Sequence, residues 1–398
     1  MNNKHILGID VGTSTINAFI GTIDMDGNLL IAGSGTAPTR GYIKGIITDF
    51  QALALSISQG VECAVMATNI SVKDAYIGVG GVEICSISSV GSIALSDTDT
   101  ITHEDIDRVY QAAILAGVPD DHEVLHLLPQ FFLVDKKKQV DLPLQQKCAH
   151  LEVQATIVCL PKLILNKLIN AVEELGINVV GVVANSIVST QALQIENTEK
   201  YLFFDIGAGT TELILYRDKQ TCLAASLPLG GDYITSDIIQ GLSISYSHAE
   251  EIKKYFTKLD KNLRGQNVIL DCNDYGTTDK QISYDFLYEI IESRIEEMVY
   301  LAHEYLKSIL LVNNVDKIFL AGGCVVMPSF ADSIEKLFGI PVEIVTQKEL
   351  IPEYGGPANV ACYGVLTYAV NNRPKGQAIM NNNAWRSLLI KFKKCFNN

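Results

Sequence analysis

Positive charge is scarce in this sequence. Lysine and arginine total 31 against 45 aspartates and glutamates, for a formal net charge of −14. Nucleic-acid affinity rests on neutralising phosphates, so no nucleic-acid partner is expected. Long apolar runs are lacking as well. None reads as the roughly 20 consecutive residues that span a bilayer. No signal-peptide pattern opens the chain: Met1-Asn2-Asn3-Lys4-His5 leads straight into a strand pattern. The nine cysteines form no C-x-x-C, and none pairs with the seven histidines at a zinc-like spacing. Reduced, buried thiols of a cytosolic chain are expected, without disulfides or structural zinc. Disorder is excluded by composition, with 48% hydrophobic and 19% charged residues. The 398 residues suffice for two domains or more.

The pattern that is present begins at once. Ile6-Leu7-Gly8-Ile9-Asp10 is a short apolar run ending in a carboxylate. A Gly12-Thr13-Ser14-Thr15 turn follows, then Ile16 to Ile20 resumes a strand, giving strand–turn–strand. Helix is predicted over 49–64, β structure over 74–96, and helix again over 103–116 with Thr102 as N-cap. Strands are predicted over 122–135 and 151–160. Pro161 opens a helix that Gly176 ends. At Tyr201 the opening recurs. Leu202-Phe203-Phe204 ends in Asp205, and Ile206-Gly207-Ala208-Gly209-Thr210-Thr211 makes the turn into a second strand. The repeat distance is far too long for a solenoid and fits two copies of one domain design. A long helix is predicted over 285–311, and a buried strand over 317–321 enters Gly322-Gly323-Cys324.

Such turns suit a nucleotide. Glycine lets backbone N–H groups close on phosphate oxygens. A carboxylate at the strand end suits Mg²⁺ held through water. One Asp-x-Gly is weak evidence, and Asp274-Tyr275-Gly276 has the same letters without a preceding strand. Alone, each hairpin reads first as an ordinary turn; together they point to ATP and Mg²⁺, with Asp10 and Asp205 as the metal carboxylates. Gly230 and Gly231 follow the second copy. Glu250 and Lys253 share one face of a helix predicted over 247–256, where a solvated pair is the ordinary reading.

The end of the chain differs from its body. Residues 371–383 carry Asn372, Asn381, Asn382 and Asn383 with Pro374 and Gly376, and read as a flexible linker. Beyond it, Trp385, Leu388, Leu389, Phe392 and Phe396 fall on one helical face. Arg386, Lys391, Lys393 and Lys394 lie off that face, and 384–396 contain no acid. Ile390 is the exception on the polar side. Aromatic and aliphatic residues opposite a basic face describe a helix lying in the headgroup plane of an anionic membrane. Docking on the chain's own body is the other reading.

In this order the motifs resemble the actin, Hsp70 and sugar-kinase superfamily. The first phosphate motif matches Asp10 to Thr15, the first connecting helix Asn185 to Leu193, and the second phosphate motif Asp205 to Thr211. The adenosine motif matches Ala321 to Cys324, and the second connecting helix Ala358 to Val365. Glu250 and Lys253 fall where relatives bracket the adenosine. More narrowly, Thr39-Arg40-Gly41 with Lys44-Gly45, His126-Leu127-Leu128-Pro129-Gln130 and Ser236-Asp237-Ile238 resemble segments of the bacterial FtsA cell-division family. The sequence departs at Cys324, where a smaller residue is usual, and at Asn185-Ser186, where actin has a water-orienting glutamine.

That resemblance implies an α/β, actin-like two-lobed ATPase fold of duplicated ribonuclease-H-like domains with an inserted subdomain 1C. The implied parts are 1A at 1–82 with 160–195 and 357–370, and 1C at 83–159. Subdomain 2A takes 196–230 with 306–356, and 2B takes 231–305. The linker at 371–383 and the tail at 384–398 complete the chain. It also implies ATP binding with weak hydrolysis, self-association into filaments, and peripheral attachment to the inner face of the cytoplasmic membrane at the septum. The tail of the tubulin-like protein FtsZ would bind 2B, where Arg294 is expected to help receive it, although a pair with Glu297 on the same helix reads equally well. Later division proteins would join there. The alternatives are a PilM-like pilus-assembly protein of the same fold and a small-molecule kinase.

Overall fold

The computed structural model describes residues 5–23, 29–96, 100–193, 200–218, 220–271, 281–310, 314–346 and 354–372. The tail at 384–398, the linker beyond 372 and the Asp274 turn lie outside the described residues. The chain opens with β1 (Ile6–Val11), β2 (Thr15–Ile23) and β3 (Leu29–Pro38), a short hairpin of β4 (Tyr42–Ile43) and β5 (Ile46–Ile47), α1 (Phe50–Thr68) and β6 (Asp74–Val79). Then come β7 (Cys85–Ala94), α2 (His103–Gly117), β8 (His122–Val134), β9 (Lys137–Gln139) and β10 (His150–Pro161). Next are α3 (Lys162–Glu173), β11 (Asn178–Ala184) and α4 (Asn185–Ala192). The second half begins with β12 (Lys200–Ile206), β13 (Thr211–Arg217) and β14 (Gln220–Leu227), then α5 (Gly231–Leu242), α6 (Tyr246–Phe256), β15 (Ile269–Asp271), β16 (Gln281–Ser283) and α7 (Tyr284–Leu310). It closes with β17 (Lys317–Ala321), α8 (Pro328–Phe338), β18 (Val342–Ile344) and α9 (Val360–Asn371).

The duplication read from the sequence is a duplication of sheets. One has the order β11-β6-β1-β2-β3, the other β18-β17-β12-β13-β14. In the first, β1 pairs antiparallel with β2 and parallel with β6. In the second, β12 pairs parallel with β17, and β17 parallel with β18. Strands β1 and β12 are buried along almost their whole lengths, as the apolar runs before Asp10 and Asp205 require. By compactness the chain divides into two units, Met1–Glu199 with Leu213–Ser226 and Ala361–Asn398, and Lys200–Glu212 with Leu227–Val360.

Helix α1 corrects one expectation. Its 19 residues are long and apolar enough to cross a membrane by length and composition, and it runs four residues beyond the predicted end. Asp49 caps it by accepting from Ala52 N at 3.1 Å, which contributes about 1 kcal/mol. Asn69, in the left-handed region at φ 56°, stops it. The buried residues Leu53, Ile57, Gly60, Val61 and Ala64 form one stripe. A Cβ on Gly35 of β3 would stand 2.2 Å from Gly60 O and 2.4 Å from Ala64 N. The helix therefore lies directly on the sheet, and this stripe is core.

Between β6 and α3 sits an inserted module with its own core. Its sheet has the order β7-β10-β8-β9. Helix α2 covers it, begun by a Thr102/Asp105 capping box. Ile106, Val109 and Ala113 of the helix pack with Leu127, Phe132, Leu151, Val153 and Ile157 of the strands.

Candidate functional site

The two phosphate-type turns have one geometry. In the first, Gly12 N donates to Thr15 O at 3.1 Å; in the second, Gly207 N donates to Thr210 O at 2.9 Å. Each turn closes four residues after an apolar strand whose next-to-last residue is aspartate, Asp10 in β1 and Asp205 in β12. Ser14 is exposed at the tip of the first. Thr13 Oγ1 accepts from Lys44 N at 3.2 Å, and Thr39 braces the turn twice, through Oγ1 to Gly12 O at 2.8 Å and through N to Ser14 O at 3.0 Å. The Thr39–Lys44 segment, singled out from sequence, is thus the buttress of this turn.

Asp10 is buried at the end of β1. Asn185 Nδ2 donates to its Oδ1 at 2.7 Å, and Asn17 Nδ2 donates to its Oδ2 at 3.3 Å. Thr36 Oγ1 donates in turn to Asn17 Oδ1 at 3.1 Å. Burial pushes the Asp10 carboxyl up to about 6, and the two amide donors pull it back only in part. Its hydrogen-bond partners here are neutral amides, so its negative charge is poorly compensated. Asn17 and Thr36 carry no signal in the sequence beyond being polar on strands, and Asn185 stands out only as the start of the connecting-helix motif and as a replacement for glutamine.

In the second unit the expected residues converge. The carbonyl of Gly207 accepts from Gly231 N at 3.0 Å and from the Cys324 thiol at 3.2 Å. Asp232 N donates to Ala208 O at 2.8 Å, and Thr211 Oγ1 donates to Leu229 O at 2.7 Å. The second turn is therefore laced to the start of α5 through Gly231 and Asp232, while a Cβ on Gly230 would stand 2.3 Å from Ala208 O. Gly209, Thr210 and Thr211 are buried beneath it. Gly322 has φ 97°, and a Cβ there would meet Ile206 O at 2.4 Å and Asp205 Oδ1 at 2.6 Å, so only glycine fits. Gly323 has open space where its Cβ would be.

Glu250 and Lys253 are not a solvated pair. Lys253 is buried and ion-paired to Glu250. Its Nζ also donates to Gly231 O at 3.2 Å and to Thr235 Oγ1 at 2.6 Å, while Thr235 Oγ1 donates to Glu250. This triad points inward from α5 and α6 to Gly231. Thr235 was missed; its one signal is a threonine one turn beyond Gly231. Burial pushes the Cys324 thiol up to about 11 despite the nearby Lys253 ammonium, so it acts here as a neutral donor that fills space.

Two further residues from the sequence motifs have structural work. His126 of β8 is completely buried, and its Nε2 accepts from Ala184 N at 2.9 Å, where β11 passes into α4. Burial lowers it to about 3, so the ring is neutral and ties the inserted module to the helix that carries Asn185. Arg294 of α7 is already engaged. Its Nη2 donates to Asp237 Oδ1 at 2.9 Å, with a second bond from Nε to Oδ2, and its Nη1 donates to Glu297 at 2.6 Å. The intrahelical pair is present, and Asp237 of α5 holds the guanidinium as a fork.

Comparison with known proteins places this geometry. The profile of the SHS2 domain inserted in FtsA matches residues 81–159, and the profile of cell division protein FtsA matches residues 202–364. The cell division protein FtsA of Borreliella burgdorferi is 31% identical over 350 residues, covering 86% of this chain and 85% of that one. That of Pseudomonas aeruginosa is 28% identical, covering 95% and 92%, and that of Bacillus subtilis 28%, covering 95% and 86%. Among solved structures, the PilM-PilN type IV pilus biogenesis complex is similar with a TM-score of 0.68 at 15% identity, covering 93% of this chain and 99% of that one. MreB5 of Spiroplasma citri bound to ADP is similar with a TM-score of 0.51 at 13% identity, covering 92% and 96%. Those two likenesses establish the actin-like α/β fold alone. The inserted module, the duplicated turns and the likeness to the Borreliella protein together identify the family: the chain belongs to the FtsA family of cell-division proteins.

Proposed function

We propose that the chain binds ATP with Mg²⁺ and tethers the FtsZ ring to the inner face of the cytoplasmic membrane at the septum. The observation that carries the nucleotide reading is one turn, with one hydrogen bond, ending an aspartate strand in each unit. The donor set at Asp10 fits a cation: a buried carboxylate with neutral amide partners gains from a nearby positive charge. Mg²⁺ keeps most of its water, so Asp10 would hold it through water, with Asp205 as the equivalent carboxylate of the second turn. When bound, the metal neutralises phosphate charge. Gly323, with open space where a Cβ would stand, leaves the backbone bare for a flat base, and Lys253 with Glu250 supplies polar groups beside it. The Asn185 amide is committed to Asp10, which supports binding over rapid turnover. ADP in the similar MreB5 structure supports the same ligand class.

Family membership supports the division role. Self-association would use the inserted module, and the acidic-apolar tail of FtsZ would meet the α5–α7 face around Arg294. The basic amphipathic segment 384–398 would anchor the chain. Each basic residue near an anionic surface contributes about 1 kcal/mol, and several tails on one filament would bind with avidity. Later division proteins would then be recruited to that filament.

The nucleotide reading is tested by equilibrium dialysis with labelled ATP and Mg²⁺. Lys253→Met keeps the packed stem and removes the ammonium. It is expected to weaken ATP binding about tenfold or more with unchanged circular dichroism. Unchanged affinity would remove Lys253 and Glu250 from the site.

A further inference from the structure

Cys85 opens β7, and Cys159 lies two residues before the end of β10. The two strands pair antiparallel in unbroken register, from His150 opposite Ala94 to Cys159 opposite Cys85. Directly opposed residues carry their side chains on one face, with Cα atoms about 4.5 or 5.5 Å apart. Both separations lie within the range of about 4.4–6.8 Å that a disulfide bridges. Across the other edge of β10, Cys159 faces Val124 and Pro161 faces His122. His122 is two residues from Val124 and so shares the face of the two thiols. Its Nε2 stands 3.9 Å from Cys85 Sγ, and its Nδ1 stands 2.8 Å from Asp121 Oδ1. A carboxylate at Nδ1 fixes the proton there and leaves Nε2 as an acceptor toward the thiol. Cys85 is partly exposed and Cys159 is buried; both are free thiols.

We propose that Cys85 and Cys159 are an oxidative modification site, a thiol pair that closes to a disulfide in response to peroxide, with His122 as the base. The Cys85 thiol gives its proton to His122 Nε2, and its sulfur attacks one oxygen of hydrogen peroxide. The O–O bond breaks, Cys85 becomes a sulfenic acid, and the released hydroxide leaves as water with the proton from His122. The Cys159 thiol then attacks the Cys85 sulfur. The S–S bond forms, the S–O bond breaks, and hydroxide leaves with the Cys159 proton as a second water. Two thiols and one peroxide thus yield one disulfide and two waters.

Burial, with Glu83 and Asp121 beside it, holds the Cys85 thiol above its ordinary range, and burial pushes Cys159 up to about 12. Both thiols are therefore protonated at neutral pH, so attack on peroxide depends on His122 taking the Cys85 proton. The bond would join the strand that enters the inserted module to the strand that leaves it, stapling the module at its neck.

The test exposes the full chain to graded hydrogen peroxide, alkylates the remaining thiols and maps peptides by mass without reduction. The expected result is a linked peptide joining Cys85 and Cys159, two hydrogens lighter than the separate thiol peptides and reversed by dithiothreitol. Cys85→Ser, at the partly exposed position, should abolish it without disturbing the core. In Cys159→Ala, a dimedone-type trap should label Cys85 as the sulfenic acid. His122→Gln should slow formation of the link about tenfold. Oxidation of Cys85 to a sulfinic acid without a linked peptide in the unmodified chain would overturn the proposal. So would linked peptides joining other cysteine pairs at the same rate, or a link that forms as fast in His122→Gln.

Discussion

Replacing Asp10 with asparagine should stabilise the ligand-free protein while destroying its response to magnesium. The carboxyl rises from 3.8 to about 6 on folding. At about 1.4 kcal/mol per pKa unit, keeping it ionised in the fold costs about 3 kcal/mol. The sign follows from proton counting. Between about pH 4 and 6 the folded chain holds a proton that the unfolded chain has released, so stability falls as pH rises through that window and stays lower above it. Asp10→Asn removes the charge and the slope. Asn185 Oδ1 is buried without a hydrogen-bond partner, so the new amide can be paired once the Asn185 side chain turns over. Urea unfolding at pH 5 and pH 8, with and without Mg²⁺–ATP, reads the effect. At pH 8 the ligand-free variant should gain up to about 3 kcal/mol over the unmodified chain, and at pH 5 about half of that. Saturating ligand stabilises a binding protein by roughly 3 kcal/mol at a hundredfold excess over Kd, and the variant should lose the Mg²⁺-dependent part of that shift. A variant less stable than the parent at pH 8, or one that keeps the full Mg²⁺ response, refutes the reasoning.

Two other substitutions probe the frame around the site. His126→Phe leaves Ala184 N without its acceptor and should cost about 1–3 kcal/mol. The parent should also lose up to about 5 kcal/mol as pH falls from 6.5 toward 3, because the unfolded imidazole takes a proton that the buried ring refuses. Acid titrations of stability should show that slope in the parent and its absence in the variant. Arg294→Glu places a third carboxylate against Asp237 and Glu297 and should reduce co-pelleting with FtsZ filaments several-fold. Unchanged co-pelleting would take Arg294 out of the peptide site.

The local elements of this fold were legible in its sequence, because their causes are local. An apolar run ending in aspartate before glycine and threonine is a strand and turn wherever it occurs, and both copies appear with the same hydrogen bond. Thr102 begins α2 as its hydroxyl demands, and Gly176, at φ 76°, follows α3. What could not be read depends on distance along the chain. Asn185 reaches Asp10 from 175 residues away, and only the sheet order brings them together. Lys253 and Glu250 carried the spacing of a solvated pair, and the tertiary position of α6 turns them inward. The end of α1 was set too early because no glycine or proline marks it, and the stop is a left-handed asparagine. The opposition of Cys85 and Cys159 is a matter of strand register, which no spacing in the sequence encodes.

The central claim is that the chain carries FtsZ to a membrane through its basic end, and liposome flotation tests it most directly. Anionic vesicles, FtsZ and Mg²⁺–ATP would be combined with the full chain or with a chain truncated after Asn383. The account predicts that FtsZ floats with the full chain and stays behind with the truncated one. Flotation of FtsZ with both, or with neither, would contradict it.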